Sequence, residues 1–70
     1  MDNIKVRFGK RIREMRLLKG ISQEKLAELA DLDRTYITGI ETGKRNISIT
    51  VIEKLSKAFN LTVSEIFKEI

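Results

Sequence analysis

A short segment of this chain, residues 34–39, gathers side chains that form hydrogen bonds with anions and with planar polar groups. It contains Arg34, Thr35, Tyr36, Thr38 and Gly39, interrupted by one apolar residue. Arginine donates paired hydrogen bonds to oxygen and nitrogen acceptors, while threonine offers a hydroxyl and a methyl group. Glycine lets another backbone come close. On the outer face of a helix, these residues suit contacts with phosphates and with the edges of nucleic-acid bases.

Residues 22–43 predict the elements that must position this segment, a pair of short helices joined by a tight turn. Ser22 and Asp33 are good N-cap residues for the two helices, and Gly43 is a good C′ residue after the second. An apolar stripe at helical spacing contains Leu26, Ala27, Leu29 and Ala30 in the first helix, and the inward positions of the second helix are Ile37 and Ile40. Two helices joined in this way form the geometry that lays the second helix in the DNA major groove.

The rest of the chain predicts three further helices, so the fold class is all-α: a compact five-helix bundle in a single domain over residues 1–70. The first helix covers about residues 4–19. The signals that begin or end these helices are Gly20 after the first, Ser48 and Asn60 around the fourth, and the T-x-x-E capping box of Thr62 and Glu65 before the fifth. Their apolar residues are Ile4, Phe8, Ile12 and Met15 in the first, Ile49, Ile52, Leu55, Ala58 and Phe59 in the fourth, and Val63, Ile66, Phe67 and Ile70 in the fifth. The capped last helix favours a full-length protein.

The composition excludes several classes of function. The chain has no cysteine and no histidine, which excludes disulfides, the usual zinc sites and catalytic pairs of the Cys-His or Ser-His type. No apolar run reaches the length of a membrane span, and no signal-peptide pattern opens the chain. A chain of 70 residues also leaves little room for a concave pocket. We therefore predict a cytoplasmic protein that is not an enzyme, with no cofactor, metal, small-molecule ligand or membrane contact.

Basic residues flank the helical pair on both sides. Residues 1–20 carry seven Lys and Arg residues against two acidic ones, a local excess of +5. Residues 21–43 carry −3, and Lys44 and Arg45 add +2. Two basic clusters fit the footprint of a polyanion-binding surface, although the first cluster taken alone is better explained as a solvated helix face. The acidic middle segment counts against nucleic acid, but several of its acids stand where helix ends need them.

The chain resembles the Cro/repressor-type (lambda repressor-like) helix-turn-helix family over essentially its whole length. The segments that carry the resemblance are IREMRLLKGISQEKLAELA, DRTYITGIETGKRN and SITVIEKLSKAFNL. Within the family, the pattern D-R-T-Y-I-x-G-I-E-x-G-x-R-N is similar to the small controller proteins of restriction-modification systems. The resemblance implies a sequence-specific DNA-binding transcriptional regulator that acts as a dimer on a palindromic operator.

The resemblance also assigns a role to each residue that matches the family motif. Base-reading positions are occupied by Arg34, Thr35, Thr38 and Gly39. Positions that contact the DNA backbone are occupied by Gln23, Tyr36, Lys44, Arg45, Asn46 and Ser48. Each assignment has a simpler alternative. Arg34 and Thr35 are then only exposed surface residues, Tyr36 is an aromatic at the edge of the core, and Asn46 is a turn residue. Lys44 and Arg45 are then a solvated pair, and Ser48 is only a helix cap.

Further matching residues concern structure and assembly. Arg16 and Glu41 match family positions that form a partly buried ion pair between the first and third helices. Asp31 stands in the turn where the family usually has glycine, so we predict a left-handed backbone there. Apolar residues that one core does not all need are the dimer-interface candidates Val51, Val63, Phe67 and Ile70. For these four, completion of the monomer core is the alternative.

The expected partners are double-stranded DNA and a second copy of the chain, with RNA polymerase as a further partner if the protein activates transcription. We expect a homodimer because one helix-turn-helix unit contacts only about 600–1,000 Å² of DNA. Two alternatives stay open: a protein-interaction module with weak or non-specific DNA binding, and a repressor of the phage or plasmid type.

Overall fold

The computed structural model of the protein describes residues 3–68 and residue 70. The backbone of this part of the chain forms five helices: α1 (Ile4–Lys19), α2 (Gln23–Ala30), α3 (Arg34–Glu41), α4 (Ile49–Ala58) and α5 (Val63–Ile66). The predicted all-α class with five helices is therefore confirmed. No helix within the described residues is both long and apolar enough to cross a membrane.

Each helix begins at a polar residue that satisfies a free backbone N–H group. Ser22 Oγ accepts a hydrogen bond from the Lys25 amide at 3.0 Å, and Ser48 Oγ accepts one from the Val51 amide at 3.2 Å. The predicted capping box of α5 is also present, because Thr62 and Glu65 exchange side-chain and backbone hydrogen bonds in both directions. These contacts explain why the helices begin where the sequence indicates.

Four helices are followed, within two residues, by a residue with a left-handed backbone. Gly20 directly follows α1 with φ of 72°, and Asp31 directly follows α2 with φ of 55°. Gly43, as predicted, and Asn60 lie two residues after the ends of α3 and α4, with φ of 74° and 56°. The left-handed conformation predicted for Asp31 is therefore confirmed. A side chain at such a φ is strained relative to glycine, and Asp and Asn tolerate it better than most residues. The turn between α2 and α3 thus closes without glycine.

One apolar core joins all five helices. Its buried members are Phe8, Ile12, Met15, Leu26, Ala27, Ala30, Ile37, Ile40, Val51, Leu55 and Ile66. Three apolar residues of the predicted helical patterns lie outside this core: Ile4, Leu29 and Ile49 are 55%, 45% and 84% exposed. Ile4 and Ile49 are the first residues of their helices, and Leu29 is offset from the buried stripe of α2, so neighbouring helices do not cover them.

The helix α3 packs against both α1 and α2, and its contact with α1 depends on a glycine. A Cβ atom on Gly9 would overlap the carbonyl oxygen of Ile40 and approach the carbonyl carbon of Glu41 to 3.1 Å. Because these neighbours are backbone atoms, they cannot move aside as a flexible side chain would. Gly9 therefore sets how closely α1 and α3 approach, and with it the position of the exposed face of α3.

Candidate nucleic-acid interface

The helix α3 presents a polar outer face. Arg34, Thr35 and Thr38 are exposed, Gly39 is half-buried, and the apolar residues Ile37 and Ile40 are buried on the opposite face. The structure thus places the four predicted base-reading residues on α3. This arrangement gives one exposed helix with donor and acceptor groups on a single side, the form of element that enters a DNA groove.

A buried ion pair fixes the C-terminal end of this helix. The Arg16 guanidinium donates to both Glu41 carboxylate oxygens, at 2.7 and 3.0 Å, and a third hydrogen bond of 2.9 Å runs to the carbonyl oxygen of Ile21. The Glu41 side chain is 3% exposed. Hydrogen bonding to Glu41 raises the pKa of Arg16, so the guanidinium stays charged. The structure contains the ion pair that the family resemblance implied, and the pair ties α3 to α1.

A glutamine connects the ion pair to the exposed face of α3. The Gln23 amide nitrogen donates to Glu41 at 3.2 Å, and the Gln23 amide oxygen accepts from the Thr38 hydroxyl at 3.0 Å. The Thr38 hydroxyl also lies 3.3 Å from the carbonyl oxygen of Arg34. Sequence reasoning placed Gln23 and Thr38 at the interface but missed the bond between them, because residues so far apart in sequence show no local pattern.

The first residues of α3 are fixed by the cap at Asp33. The Asp33 carboxylate accepts a hydrogen bond from the Thr35 amide at 3.0 Å and a second from the Thr35 hydroxyl. These two bonds, first the one from the hydroxyl and then the one from the amide, lower the pKa of Asp33 below its ordinary value. The carboxylate is therefore ionised at neutral pH and holds the Thr35 side chain in one orientation.

The loop after α3 folds back onto that helix. The carbonyl oxygen of Gly39 accepts hydrogen bonds from the Lys44 and Arg45 amides, at 3.0 and 3.2 Å. The Arg45 guanidinium lies over the Tyr36 ring, 4.6 Å from its centroid, within the range of a cation–π interaction. A Cβ on Gly39 would come within 2.6 Å of Arg45 Cγ. Gly39 therefore makes room for the Arg45 side chain, and the close approach of another backbone at Gly39 stays a prediction.

Exposed polar residues extend this surface on both sides of α3. Lys44, Arg45, Asn46 and Ser48 are all exposed, and the Ser48 side chain caps α4 as predicted. On the other side, an open polar hollow of about 320 Å³ lies at the N-terminus of α2 and is lined by Arg16, Ser22, Gln23, Glu24 and Arg34. A helix N-terminus beside arginine is a suitable place for a phosphate oxygen.

The four dimer-interface candidates lie in different surroundings. Val51 is 9% exposed and belongs to the monomer core, so its assignment to a dimer surface is corrected: the packed helices already cover it. Phe67 is half-buried, with its ring centroid 5.1 Å from that of Phe8, and Ile70 is half-buried against the same core. Val63 is 44% exposed. The most exposed of the four candidates is therefore Val63, in α5.

Comparison with known proteins agrees with this geometry. A family model described as Helix-turn-helix matches residues 12–66. The control protein C.MunI of a Mycoplasma species is 46% identical, over 100% of this chain and 96% of that protein. The control protein C.BamHI of Bacillus amyloliquefaciens is 52% identical, over 86% of this chain and 75% of that protein. The crystal structure of the restriction-modification controller protein C.AhdI from Aeromonas hydrophila superposes with a TM-score of 0.87 at 49% identity, covering 90% and 96% of the two chains.

Proposed function

This chain belongs to the helix-turn-helix family, among the controller proteins of restriction-modification systems, and from that premise we propose that it is a sequence-specific DNA-binding transcriptional regulator. The proposal gives it no catalytic activity and places its action in the cytoplasm. Its regulated genes are proposed to be those of a restriction-modification system, because its relatives carry that description.

The outward face of α3 is the observation that carries this proposal. Arg34 and the threonines of α3 are exposed, while the Arg16–Glu41 ion pair and the capped turn hold the helix against α1 and α2. A side-chain set held in this way is ready to contact base edges without reordering the helix. Lys44 and Arg45 lie in the loop after α3, and we propose that they contact phosphates of the DNA backbone beside the groove that α3 enters.

Binding as a homodimer is part of the proposal. One helix-turn-helix module contacts about 600–1,000 Å² of DNA, which is small for tight and specific binding. A two-fold dimer doubles that contact and requires half-sites about 10 base pairs apart on one face of the duplex. The exposed side of α5 around Val63 offers apolar surface for such a contact. Activation would add RNA polymerase as a partner, while repression needs only occupancy of the operator.

Selection from a random duplex library tests the proposal directly. The purified protein is incubated with the library in moderate salt and competitor DNA, and bound duplexes are sequenced. Two related half-sites about one helical turn apart would support the dimeric regulator. A single short motif would show a monomeric reader. A folded protein that enriches no sequence would contradict sequence-specific binding and favour a protein-interaction module.

A further inference from the structure

Hydrogen-bond direction restricts what the threonine hydroxyls of α3 can still do. A threonine hydroxyl has one proton to donate and two lone pairs that accept. The Thr38 hydroxyl lies 3.0 Å from Gln23 Oε1 and 3.3 Å from the carbonyl oxygen of Arg34. The Arg34 carbonyl has no proton, so Thr38 can only be the donor in that contact.

The orientation of the Gln23 amide is set by its other neighbour. An amide group can turn to exchange its oxygen and its NH₂ group, so its hydrogen-bond partners decide which atom faces which way. The Glu41 carboxylate is held by Arg16 as an acceptor, and it therefore requires the NH₂ group at 3.2 Å. The Gln23 oxygen must then face Thr38, where it also acts as an acceptor. Gln23 Oε1 and the carbonyl oxygen of Arg34 are thus both acceptors, and the single proton of the Thr38 hydroxyl is donated within the protein.

Thr35 is restricted in the same way by the N-cap of α3. Its hydroxyl donates to the Asp33 carboxylate, which in its ionised form has no proton to donate and which also accepts from the Thr35 amide. Thr35 and Thr38 are exposed, so their lone pairs remain accessible from the outer face of α3. Arg34, in contrast, carries donors only.

We infer that Thr35 and Thr38 act as hydrogen-bond acceptors towards DNA and therefore contact exocyclic amino groups, the N6 group of adenine or the N4 group of cytosine. These are the donors that the major groove presents, whereas O6 and N7 of guanine and O4 of thymine are acceptors. The recognition helix then combines one donor side chain, Arg34, with two acceptors. This inference rests on the proposed function and adds the chemical class of the group that each threonine contacts.

The first step of the test locates the base pair that Thr38 contacts. Library selections are compared for the wild type, Thr38→Val and the control Thr50→Val. Valine keeps the shape of threonine and removes the hydroxyl, and Thr50 is an exposed residue of α4 outside the proposed base-reading set. The base pair whose preference changes only in Thr38→Val is the one contacted. Thermal melting shows that each variant is folded.

The second step asks which group on that base pair matters. Duplexes are prepared in which a hydrogen replaces the amino group, with purine in place of adenine or 2-pyrimidinone in place of cytosine, and binding is measured by fluorescence anisotropy. We expect the loss of the amino group to weaken wild-type binding about threefold to tenfold, the value of one hydrogen bond, and to leave Thr38→Val unchanged. The same duplex series applies to Thr35→Val at its own base pair.

Three outcomes contradict the inference, and only one of them also affects the proposed function. In the first, wild-type affinity does not change when the amino group is removed but falls when the keto oxygen of the same base pair is removed. That result would show that the threonine hydroxyl donates a hydrogen bond. A motif that is enriched identically by the wild type and Thr38→Val shows that Thr38 contacts no base. If the folded wild type and Thr50→Val both enrich no sequence, the proposed regulator function fails, and this inference fails with it.

Discussion

Two arginines beside the outer face of α3 carry the same charge but lie in different surroundings. Arg34 is the first residue of α3, and it lines the open hollow at the N-terminus of α2. Arg45 extends across Gly39 and lies over the Tyr36 ring. In the proposed function, Arg34 contacts base edges and Arg45 contacts the DNA backbone. Their removal should therefore have different consequences for binding.

Arg34→Ala should weaken binding to the preferred site by about 1–3 kcal/mol and relax the preference at one base pair. The reason is that a bidentate contact between arginine and guanine is lost at that pair only. Titrations with the preferred site and with single-base variants of it measure both effects. An equal loss on every sequence would assign Arg34 to the DNA backbone instead.

Arg45→Ala should weaken binding to all sequences by a similar factor. It should also reduce the slope of log K against log salt by about one, because one phosphate contact no longer releases a counterion. The measurement is affinity at several salt concentrations, with Arg34→Ala as the matched control of equal charge. A slope equal to that of the wild type would remove Arg45 from the phosphate contacts.

At the scale of elements, the close contact between α1 and α3 sets the position of the exposed face of α3. Gly9→Ala should raise the helix propensity of α1, but the added methyl group would overlap the carbonyl oxygen of Ile40. We expect a net loss of about 1–2 kcal/mol in the free energy of unfolding, because the cost of overpacking exceeds the propensity gain. Chemical denaturation measures this loss.

Gly39→Ala is the matched control for the crossing. Its methyl group would meet Arg45 Cγ, a side-chain atom that can shift, whereas the neighbours of Gly9 are backbone atoms. Gly39→Ala should therefore lose less stability than Gly9→Ala, while DNA affinity falls because Arg45 is displaced. Equal destabilisation of Gly9→Ala and Gly39→Ala would show that the backbone contact at Gly9 is not special.

The turn between α2 and α3 carries strain that glycine would relieve. Asp31 has a φ of 55°, and its exposed ion pair with Lys54, at 3.8 Å, adds little stability. Asp31→Gly should raise the free energy of unfolding by about 0.5–1 kcal/mol, which corresponds to a melting temperature several degrees higher. Asp31→Ala loses the same ion pair and keeps a Cβ, so it should melt below the wild type. An Asp31→Gly variant less stable than Asp31→Ala would contradict this account.

The elements that could be predicted from sequence are those fixed by local interactions. Ser22, Asp33, Ser48 and Thr62 cap helices through bonds to residues two or three positions later, so short patterns were sufficient. The role of Gly9 was missed because its neighbours are backbone atoms of α3, far along the chain.

Two kinds of error in the predicted pattern have physical causes. Helical periodicity identifies an apolar stripe but does not show where other helices stop covering it, which is why the exposure of Leu29 and Ile49 was not anticipated. The link from Gln23 to Thr38 was missed because two hydrogen-bonding side chains on different helices leave no shared spacing. Both depend on how the helices assemble.

At the scale of the whole molecule, the last helix is joined to the first by polar and aromatic contacts. Arg11 donates hydrogen bonds to the carbonyl oxygens of Glu65 and Ile66, at 3.2 and 3.3 Å, where α5 ends. The rings of Phe8 and Phe67 pack nearby with centroids 5.1 Å apart. Since α5 is only one turn long, its order depends on these contacts and on its capping box. The surface of α5 that is proposed to bind a second copy of the chain therefore depends on these contacts for its order.

Acid should weaken the molecule at α3 and α5 together. Hydrogen bonds to the Thr35 side chain and amide lower the pKa of Asp33, and bonds from the Thr62 backbone and side chain lower the pKa of Glu65, from ordinary values of 3.8 and 4.5. In the unfolded chain the two carboxyl groups have those ordinary pKa values. Both caps therefore stabilise the fold fully above about pH 5 and lose this contribution as the pH falls through the lowered pKa values.

The double variant Asp33→Asn with Glu65→Gln tests this account. Its melting temperature should depend less on pH between about 5 and 2 than that of the wild type, because amides cap helices without titrating. Glu53→Gln changes one exposed carboxylate in α4 and serves as the control, which should follow the wild type. If the double variant loses stability in acid as steeply as the wild type, the acid sensitivity does not come from the two caps.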